Sequence, residues 1–596
     1  MSDKKFLITI YIIFTIFVCI FTSNFLNNED KIYSCNFVMS NQMFFRTFEQ
    51  LNENFFAGIS NILRLVAEAP FNPLHILPLF PFYYMFGNSS RFGFIIGIEL
   101  FYMIPITLLL LYYLYKEIIH YDSKYKLMNI AVLISVLFMP ALWFPSLRGQ
   151  AEIITFIPVF LMIIYFSKIN FEENNNIRNA LLLGLSMYLV FILRRFFIVF
   201  DAAIVLTIFL FGLNRIIKNR TDSIKKLINL GLNSIIIPSC MFLGLMCVFQ
   251  FPYIISCLET KDIVIKAYVY RNCFETIISC FYLLGYKLIL LILALISVFL
   301  WADKNTKKNI TFLTSILFFY TCIFSFYLFI DIYLNLILVF ISVIIISGFY
   351  YFALHIKQTR KNNILPNLLS AIFILYIIFS FLYFFNTLGY NIKKFPKYPT
   401  IEYITSTPYK FSYIVKKSIK EIDKTLKEEI KNNPDAKITV YATLDETMSY
   451  FILESYSTFT DKILLKHLNP TSEYFSNEGI PNQNLNADFV VVSDPVRFEE
   501  RKKGFLPLFN ASEAFLNSEN IGKSYTCIKE ISFYVNRKNN KAEKVTLYIF
   551  KKTKPVTPEQ VNELYNSIIE EVPQFADIYK NKMEEYKNFY EINTNK

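Results

Sequence analysis

Residues 188–203 read YLVFILRRFFIVFDAA, two apolar runs separated by the adjacent side chains of Arg194 and Arg195. A charged side chain at the centre of a bilayer costs about 2.5–3.5 kcal/mol even on the scale that penalises it least. We therefore expect the two arginines at a membrane boundary, between the end of one spanning helix and the start of the next. Asp201, in the second run, is interpreted as a local helix partner.

The composition extends this interpretation to much of the chain. Of the 596 residues, 54% are hydrophobic and 18% are charged. Several apolar runs reach the roughly 20 residues that a spanning helix needs, which predicts an α-helical polytopic membrane protein with about eleven transmembrane helices. Membrane lipid is thus an expected partner. In the predicted membrane part, basic residues fall mostly in short loops, a pattern of cytoplasmic retention, so the net charge of +12 does not indicate a nucleic-acid partner.

Basic residues also predict the orientation. Lys4 and Lys5 precede the apolar run 6–26, and the later segments WADKNTKKN (301–309) and HIKQTRKNN (355–363) are basic as well. Because cytoplasmic loops are enriched in Lys and Arg, the N-terminus is expected in the cytoplasm and the chain after about residue 387 outside. The predicted spans lie near residues 6–26, 92–115, 127–145, 152–167, 179–193, 196–212, 228–250, 276–300, 310–330, 332–353 and 364–386.

The composition changes after the last predicted span. We assign residues 1–386 to a transmembrane domain and residues 387–596 to a C-terminal external α/β domain. The tail has no glycine-rich phosphate loop, so no nucleotide cofactor is expected, and a structural or acceptor-facing role is favoured over a catalytic one. Its patterns predict a strand and then a helix in 436–456, a buried strand in 487–495, two strands in 524–552, and a helix from a Thr557–Gln560 capping box to about Tyr590.

The first predicted external loop, residues 27–91, contains two further apolar segments. Between residues 44 and 66, apolar side chains recur at spacings of three and four, which predicts an amphipathic helix lying in the outer membrane interface. Residues 71–87, FNPLHILPLFPFYYMFG, are interrupted by prolines, so a half-buried or re-entrant helix is expected rather than a full span. His75 in this segment is either a satisfied interfacial residue or a ligand-binding one.

Two groups of carboxylates lie on the predicted outer side. Glu29 and Asp30 follow the first helix in NNEDKIYSCN, either as a solvated turn or as groups that accept a proton or hold a metal. Glu152 closes the segment FPSLRGQAE, where Arg148 precedes it by four residues. A helical ion pair explains that spacing, and a functional carboxylate at the start of a membrane helix explains it equally well.

The arginine pair allows two interpretations of its own. Arg194 and Arg195 either extend into lipid headgroups, or one or both bind the phosphate of a lipid, for which the guanidinium fork is well suited. Neighbouring helical positions point about 100° apart, so a single carboxylate does not satisfy both. The lack of polar residues around the pair favours phosphate binding.

These positions, in this order, resemble the GT-C superfamily of polytopic glycosyltransferases, and most of all its bacterial branch related to protein O-mannosyltransferases and aminoarabinose transferases. The first acidic motif matches at Glu29, Asp30 and Tyr33. Residues 71–87 are similar to a Pro-Pro-Leu segment of that branch, with Asn72 and Pro73 in place of its double proline. Residues 139–152, MPALWFPSLRGQAE, are similar to its second acidic loop.

The resemblance implies a hexosyl- or pentosyltransferase in a bacterial cytoplasmic (inner) membrane. Its donor would be a polyprenyl-phosphate-linked sugar, and its acceptor an extracytoplasmic glycan, lipid or protein. The family order Asp-Glu is Glu-Asp here, so the catalytic choice between Glu29 and Asp30 stays open. The further site residues expected are Glu152 as a catalytic group, Arg148, Arg194, Arg195, Tyr33 and His75 for substrate binding, and Asp30 with Glu152 for a divalent metal cation of unknown identity.

Three other functions remain open for a chain of this kind, and one of them is a membrane sensor or scaffold whose tail is the working part. A lipid-linked glycan polymerase or ligase typically centres on a large late external loop, whereas here the large external parts are the first loop and the tail. A transporter or flippase of lipid-linked sugars often has internal repeats, and this sequence shows none.

Overall fold

A computed structural model divides the chain into two compact units. The first comprises Met1–Asn27, Met39–Lys261 and Arg271–Pro408, and the second comprises Asn28–Val38, Asp262–Tyr270 and Tyr409–Lys596. The predicted boundary near residue 387 falls in a stretch outside the described residues. The structure describes residues 3–29, 33, 35–69, 72–86, 91–168, 177–218, 228, 231–259, 286–327, 331–360, 364–385, 413–441, 450–469, 479–496, 505–536 and 542–594.

The first unit is built from helices. Short 3₁₀ turns at Pro73–His75, Leu77–Leu79, Ala151–Thr155 and Arg195–Phe197 connect several of them. The helices are α1 Asp3–Asn27, α2 Cys35–Glu53 (its first residues belong to the second unit), α3 Phe55–Glu68, α4 Phe80–Phe86, α5 Arg91–Ile118, α6 Lys126–Leu137, α7 Pro140–Leu147, α8 Phe156–Lys168, α9 Ile177–Leu193, α10 Ile198–Lys218, α11 Ile237–Phe249, α12 Phe251–Glu259, α13 Tyr286–Trp301, α14 Lys304–Tyr327, α15 Asp331–Arg360 and α16 Ile364–Phe384.

Six helical stretches among the described residues are long and apolar enough to cross a membrane. Four shorter apolar helices lie in α9, α10, α11 and α13. This confirms a helical, multi-pass membrane protein, while the number of eleven crossings stays a prediction. The six stretches are Ile8–Asn27, Arg91–Ile118, Lys126–Leu147, Ala151–Lys168, Asn335–Thr359 and Ile364–Leu382.

Small residues bring helices of this unit into close contact. A Cβ atom at Gly348 of α15 would lie 2.3 Å from the Cα of Ala294 in α13. At Gly184 of α9, a Cβ would lie 2.4 Å from the carbonyl oxygen of Pro238 in α11. Membrane helices associate through such small residues because lipid provides no hydrophobic drive between them. Any larger side chain at either glycine would separate the two helices.

The predicted amphipathic helix is divided in two. Asn54 lies between α2 and α3 in an extended conformation, and its side chain accepts a hydrogen bond from the backbone N–H of Ala57. An N-capping Asn starts a new helix because its side chain replaces the missing backbone acceptor. The prediction of one continuous helix was therefore wrong. The following segment forms two 3₁₀ turns and then the short α4, in agreement with the prediction that it is not a full span.

The second unit contains a four-stranded sheet of order β1-β2-β4-β3. Strands β1 and β2 are parallel, whereas β4 is antiparallel to both β2 and β3. The predicted strands of the tail are confirmed. The elements are α17 Tyr413–Asn432, β1 Ile438–Val440, α18 Tyr450–Phe459, α19 Asn482–Leu485, β2 Phe489–Asp494, α20 Leu506–Asn517, β3 Tyr525–Asn536, β4 Ala542–Lys552, α21 Pro558–Glu571 and α22 Ala576–Thr594.

Helices cover both faces of this sheet. In β2, Phe489 and Val491 belong to one buried core, while Val490 and Val492 belong to the other. Successive strand residues point to opposite faces, so a strand covered on both sides is apolar throughout. The predicted capping box of Thr557 and Gln560 is present. The single long helix predicted after it was wrong, because Pro573 starts a 3₁₀ turn between α21 and α22.

Candidate functional site

The apolar run of residues 188–203 breaks at the arginine pair, as the sequence predicts. Helix α9 ends at Leu193, and Arg194 is extended with φ −153° and ψ 95°. A 3₁₀ turn from Arg195 to Phe197 leads into α10. An extended residue between two helices points the two guanidinium groups in different directions. The two arginines consequently have different partners.

Arg194 forms an ion pair with Glu152. The guanidinium Nη2 lies 3.2 Å from the carboxylate Oε1, and the side chains are 12% and 7% exposed. Glu152 is held in the 3₁₀ turn Ala151–Thr155, whose Thr155 hydroxyl donates to the Glu152 carbonyl. The pair joins two sequence-predicted site residues that lie far apart in the chain.

Arg148 and Glu152 do not form the helical pair that their spacing allowed. Helix α7 ends at Leu147, and Gly149 has φ +75°, a left-handed conformation that ends the helical path. The helical alternative for this spacing was therefore wrong. The Arg148 guanidinium carbon lies 5.6 Å from the centre of the Phe144 ring, and its predicted role in substrate binding stays a prediction.

His75 lies close enough to this ion pair for both charges to change its pKa. Burial lowers the pKa of His75 to about 4. The Arg194 guanidinium also lowers this pKa, whereas the Glu152 carboxylate raises it. The imidazole is 4% exposed and is neutral at pH 7. A neutral imidazole offers one hydrogen-bond donor and one acceptor. The structure thus brings together His75, Glu152 and Arg194.

Three hydrogen bonds position the turn that carries His75. The Asn72 side chain accepts from the N–H of Leu74 and donates from Nδ2 to the carbonyl of Ile192, at 2.8 Å, next to the break at Arg194. The buried Tyr102 hydroxyl donates to the His75 carbonyl. Asn72 therefore ties this turn to the end of α9.

Glu152 keeps one acceptor available in this arrangement. Its Oε2 atom is buried and has no hydrogen-bond partner among the described residues. A buried carboxylate oxygen without a donor is costly, so it is a suitable acceptor for a hydroxyl or a proton that enters the site. Chemically, the group combines a cation for an anionic ligand, a carboxylate acceptor and a neutral imidazole.

Arg195 is engaged by protein groups. Its guanidinium donates to the carbonyls of Val66 and Ala69 at the end of α3 and, at 2.7 Å, to the Oε1 atom of Gln250. It also stacks on Tyr253, with 3.6 Å between the guanidinium carbon and the ring centre. A cation at a helix C-terminus stabilises the exposed carbonyls there. In this position Arg195 anchors α3, and its predicted binding of substrate stays a prediction.

The first acidic motif belongs to the second unit. Glu29 is half-buried, and Tyr33 is 4% exposed. Asp30 lies outside the described residues. Among the described residues there is no group of three or more His, Cys, Asp or Glu side chains that could hold a metal ion. The metal site predicted at Asp30 and Glu152 therefore stays a prediction.

Sequence reasoning missed a buried carboxyl group in α5. Glu99 is fully buried, and the Thr22 hydroxyl lies 2.8 and 2.7 Å from its two carboxylate oxygens. It begins a π-helical turn, Glu99–Met103, a distortion that is frequent at functional sites. The available signal was a glutamate within an apolar run, which costs free energy in a membrane unless it is used.

Asp201 differs from its sequence-based interpretation. It is 2% exposed, and neither carboxylate oxygen has a hydrogen-bond partner within the described part of the chain. The interpretation as a local helix partner was therefore wrong there.

Comparisons with known proteins do not assign the chain to a family. No family model matches it, and neither a curated protein nor a solved structure does.

Proposed function

We propose that this chain is a membrane glycosyltransferase. It moves a hexosyl or pentosyl group from a polyprenyl-phosphate-linked donor to an extracytoplasmic glycan, lipid or protein. The observation that supports this most is the buried ion pair of Arg194 and Glu152 beside His75, in a unit of apolar, membrane-spanning helices. Such a site offers groups of opposite charge to a reaction that separates charge.

The donor phosphate is assigned to Arg194. When the sugar is transferred, the bond between its anomeric carbon and the phosphate oxygen breaks, and the phosphate leaves with an additional negative charge. A guanidinium binds phosphate through two parallel hydrogen bonds, and a fixed cation stabilises the charge that develops. Arg148 is the second candidate for this role because it lies on the same loop as Glu152.

The acceptor proton is assigned to a carboxylate. The acceptor hydroxyl oxygen forms the new bond to the anomeric carbon, and its proton passes to the base. Within the described residues, Glu152 has an Oε2 atom free to accept it. The resemblance to the GT-C superfamily implies Glu29 or Asp30 as an alternative base.

Turnover of a lipid-linked donor tests the proposal. Purified protein in lipid nanodiscs is incubated with polyprenyl-phosphate-linked sugars and a membrane extract, and release of free polyprenyl phosphate is followed. Arg194→Ala and Glu152→Gln should each lower turnover at least 100-fold, the scale of losing one charge-stabilising group. The matched control is Arg178→Ala, which changes an exposed arginine at the start of α9, the helix that ends just before Arg194. Turnover that survives both site substitutions would contradict the assignment.

A transporter or flippase of lipid-linked sugars is the second candidate. Asp201 supports it, because a buried carboxyl group in a membrane helix, with no hydrogen-bond partner among the described residues, is typical of proton-coupled transport. Vesicles with a fluorescent lipid-linked sugar separate the two functions. A transporter moves the intact lipid across the bilayer and loses that movement in Asp201→Asn, whereas a transferase releases polyprenyl phosphate.

A further inference from the structure

The chain that follows the first membrane helix folds with the C-terminal unit. Asn28–Val38 belongs to the second unit, together with Tyr409–Lys596. The segment carries the acidic residue Glu29 and the buried side chains of Tyr33 and Phe37. It thus joins a unit whose other described residues lie several hundred positions later.

One buried hydrogen bond fastens this segment. The backbone N–H of Tyr33 donates to the Ser455 hydroxyl oxygen at 2.9 Å. Ser455 is 0% exposed and Tyr33 is 4% exposed, so water does not replace either partner. The Tyr33 ring also meets the Phe37 ring edge to face, with 4.9 Å between the ring centres.

Helix α18 presents Ser455 from a well-packed position. Its residues Ile452 and Leu453 are part of the core on one face of the sheet, and Tyr456 packs against that core. Ser457, two residues further on, is equally buried, but its hydroxyl has no hydrogen-bond partner among the described residues. A buried hydroxyl costs free energy unless it is hydrogen-bonded. The Ser455 hydroxyl is bonded, and its partner is the first-loop segment.

We propose that the C-terminal unit positions the first acidic segment, with Ser455 as the positioning residue that holds Tyr33 and thereby limits where Glu29 lies. Four residues of extended chain span at most about 14 Å, so fixing Tyr33 keeps the Glu29 Cα within that distance of it. The tail then has a role in the reaction beyond contacting an acceptor. The link to Glu29 rests on the proposed transferase function, whereas the docking of the segment does not.

Hydrogen exchange of the full-length protein in nanodiscs tests the docking. Ser455→Ala leaves the buried N–H of Tyr33 without its acceptor, so peptides that cover residues 28–38 should exchange about 5- to 150-fold faster. Ser457→Ala removes a hydroxyl from the same helix and should leave that exchange unchanged. Ser455→Thr keeps the hydroxyl and should restore protection. Unchanged exchange in Ser455→Ala would overturn the proposal.

Release of polyprenyl phosphate tests the positioning. Ser455→Ala should lower kcat about tenfold or more with KM for the donor unchanged, while Ser457→Ala and Ser455→Thr stay near the parent. Faster exchange with unchanged kcat would overturn the positioning role. If the parent protein releases no polyprenyl phosphate, the proposed function fails, and the exchange measurement still decides whether the segment is docked.

Discussion

Replacing Arg194 by alanine removes the cation that neutralises the buried Glu152. At an effective dielectric constant of about 20, unit charges 3.2 Å apart attract each other by about 5 kcal/mol. The loss of hydration by both groups offsets much of this attraction, but removing one partner of a buried pair costs about 3–5 kcal/mol because the other charge stays buried. Arg194→Ala and Glu152→Ala are each expected to lower the free energy of unfolding by that amount.

The double variant decides whether the pair accounts for these losses. When both charges are absent, no buried ion is left behind, so the double variant should be more stable than the sum of the single losses predicts, by about 0.5–3 kcal/mol. The measurement is unfolding in mixed detergent micelles, followed by circular dichroism for the parent, both single variants and the double variant. Losses that add within about 0.5 kcal/mol would refute the inference that the two groups are coupled.

Three further predictions concern His75, Arg195 and the orientation. The pKa of His75 is about 4 in the folded protein and about 6.5 in the unfolded chain, so the unfolded chain binds the proton more tightly. The free energy of unfolding should therefore fall by about 3 kcal/mol as the pH drops from 6.5 to 4. His75→Asn should remove that part of the pH dependence of unfolding. Arg195→Lys cannot reproduce the forked contacts to Val66 and Ala69, so hydrogen exchange at the end of α3 should accelerate at least fivefold, and an unchanged rate would contradict the anchoring role. In a cysteine-free background, Glu571→Cys should react with a membrane-impermeant maleimide in intact cells, and protection until lysis would reverse the predicted orientation.

Local patterns predicted much of the secondary structure. The two arginines ended an apolar run, and the chain does leave the helix at Arg194. In the tail, the run of valines in β2 was sufficient to predict a buried strand, and Thr557 was sufficient to predict a helix start. Both predictions succeed because strand burial and helix capping depend on neighbouring residues. The missed breaks lie at Asn54 and Pro573, where one residue ends a periodic pattern that otherwise continues.

The partners within the site could not be predicted in the same way. Spacing suggested Arg148 as the partner of Glu152, whereas the fold supplies Arg194 from another helix. Rules for residues three or four apart describe a continuous helix, and Gly149 interrupts it. The contact of Thr22 with Glu99 likewise joins two separate helices, so it depends on the packing of the whole unit rather than on any local signal.

The helix break at Arg194 and the part of the first loop between Val66 and Asn72 provide hydrogen-bond partners for each other. Asn72 of the loop takes up the Ile192 carbonyl, and Arg195 of the break takes up the carbonyls of Val66 and Ala69. These two sets of hydrogen bonds together fix the register of one chain segment against the other, because both must form at the same time. Inserting or deleting a single residue between Ala69 and Asn72 would misalign both sets of bonds at once, so the number of residues between these two positions is as important as their side chains.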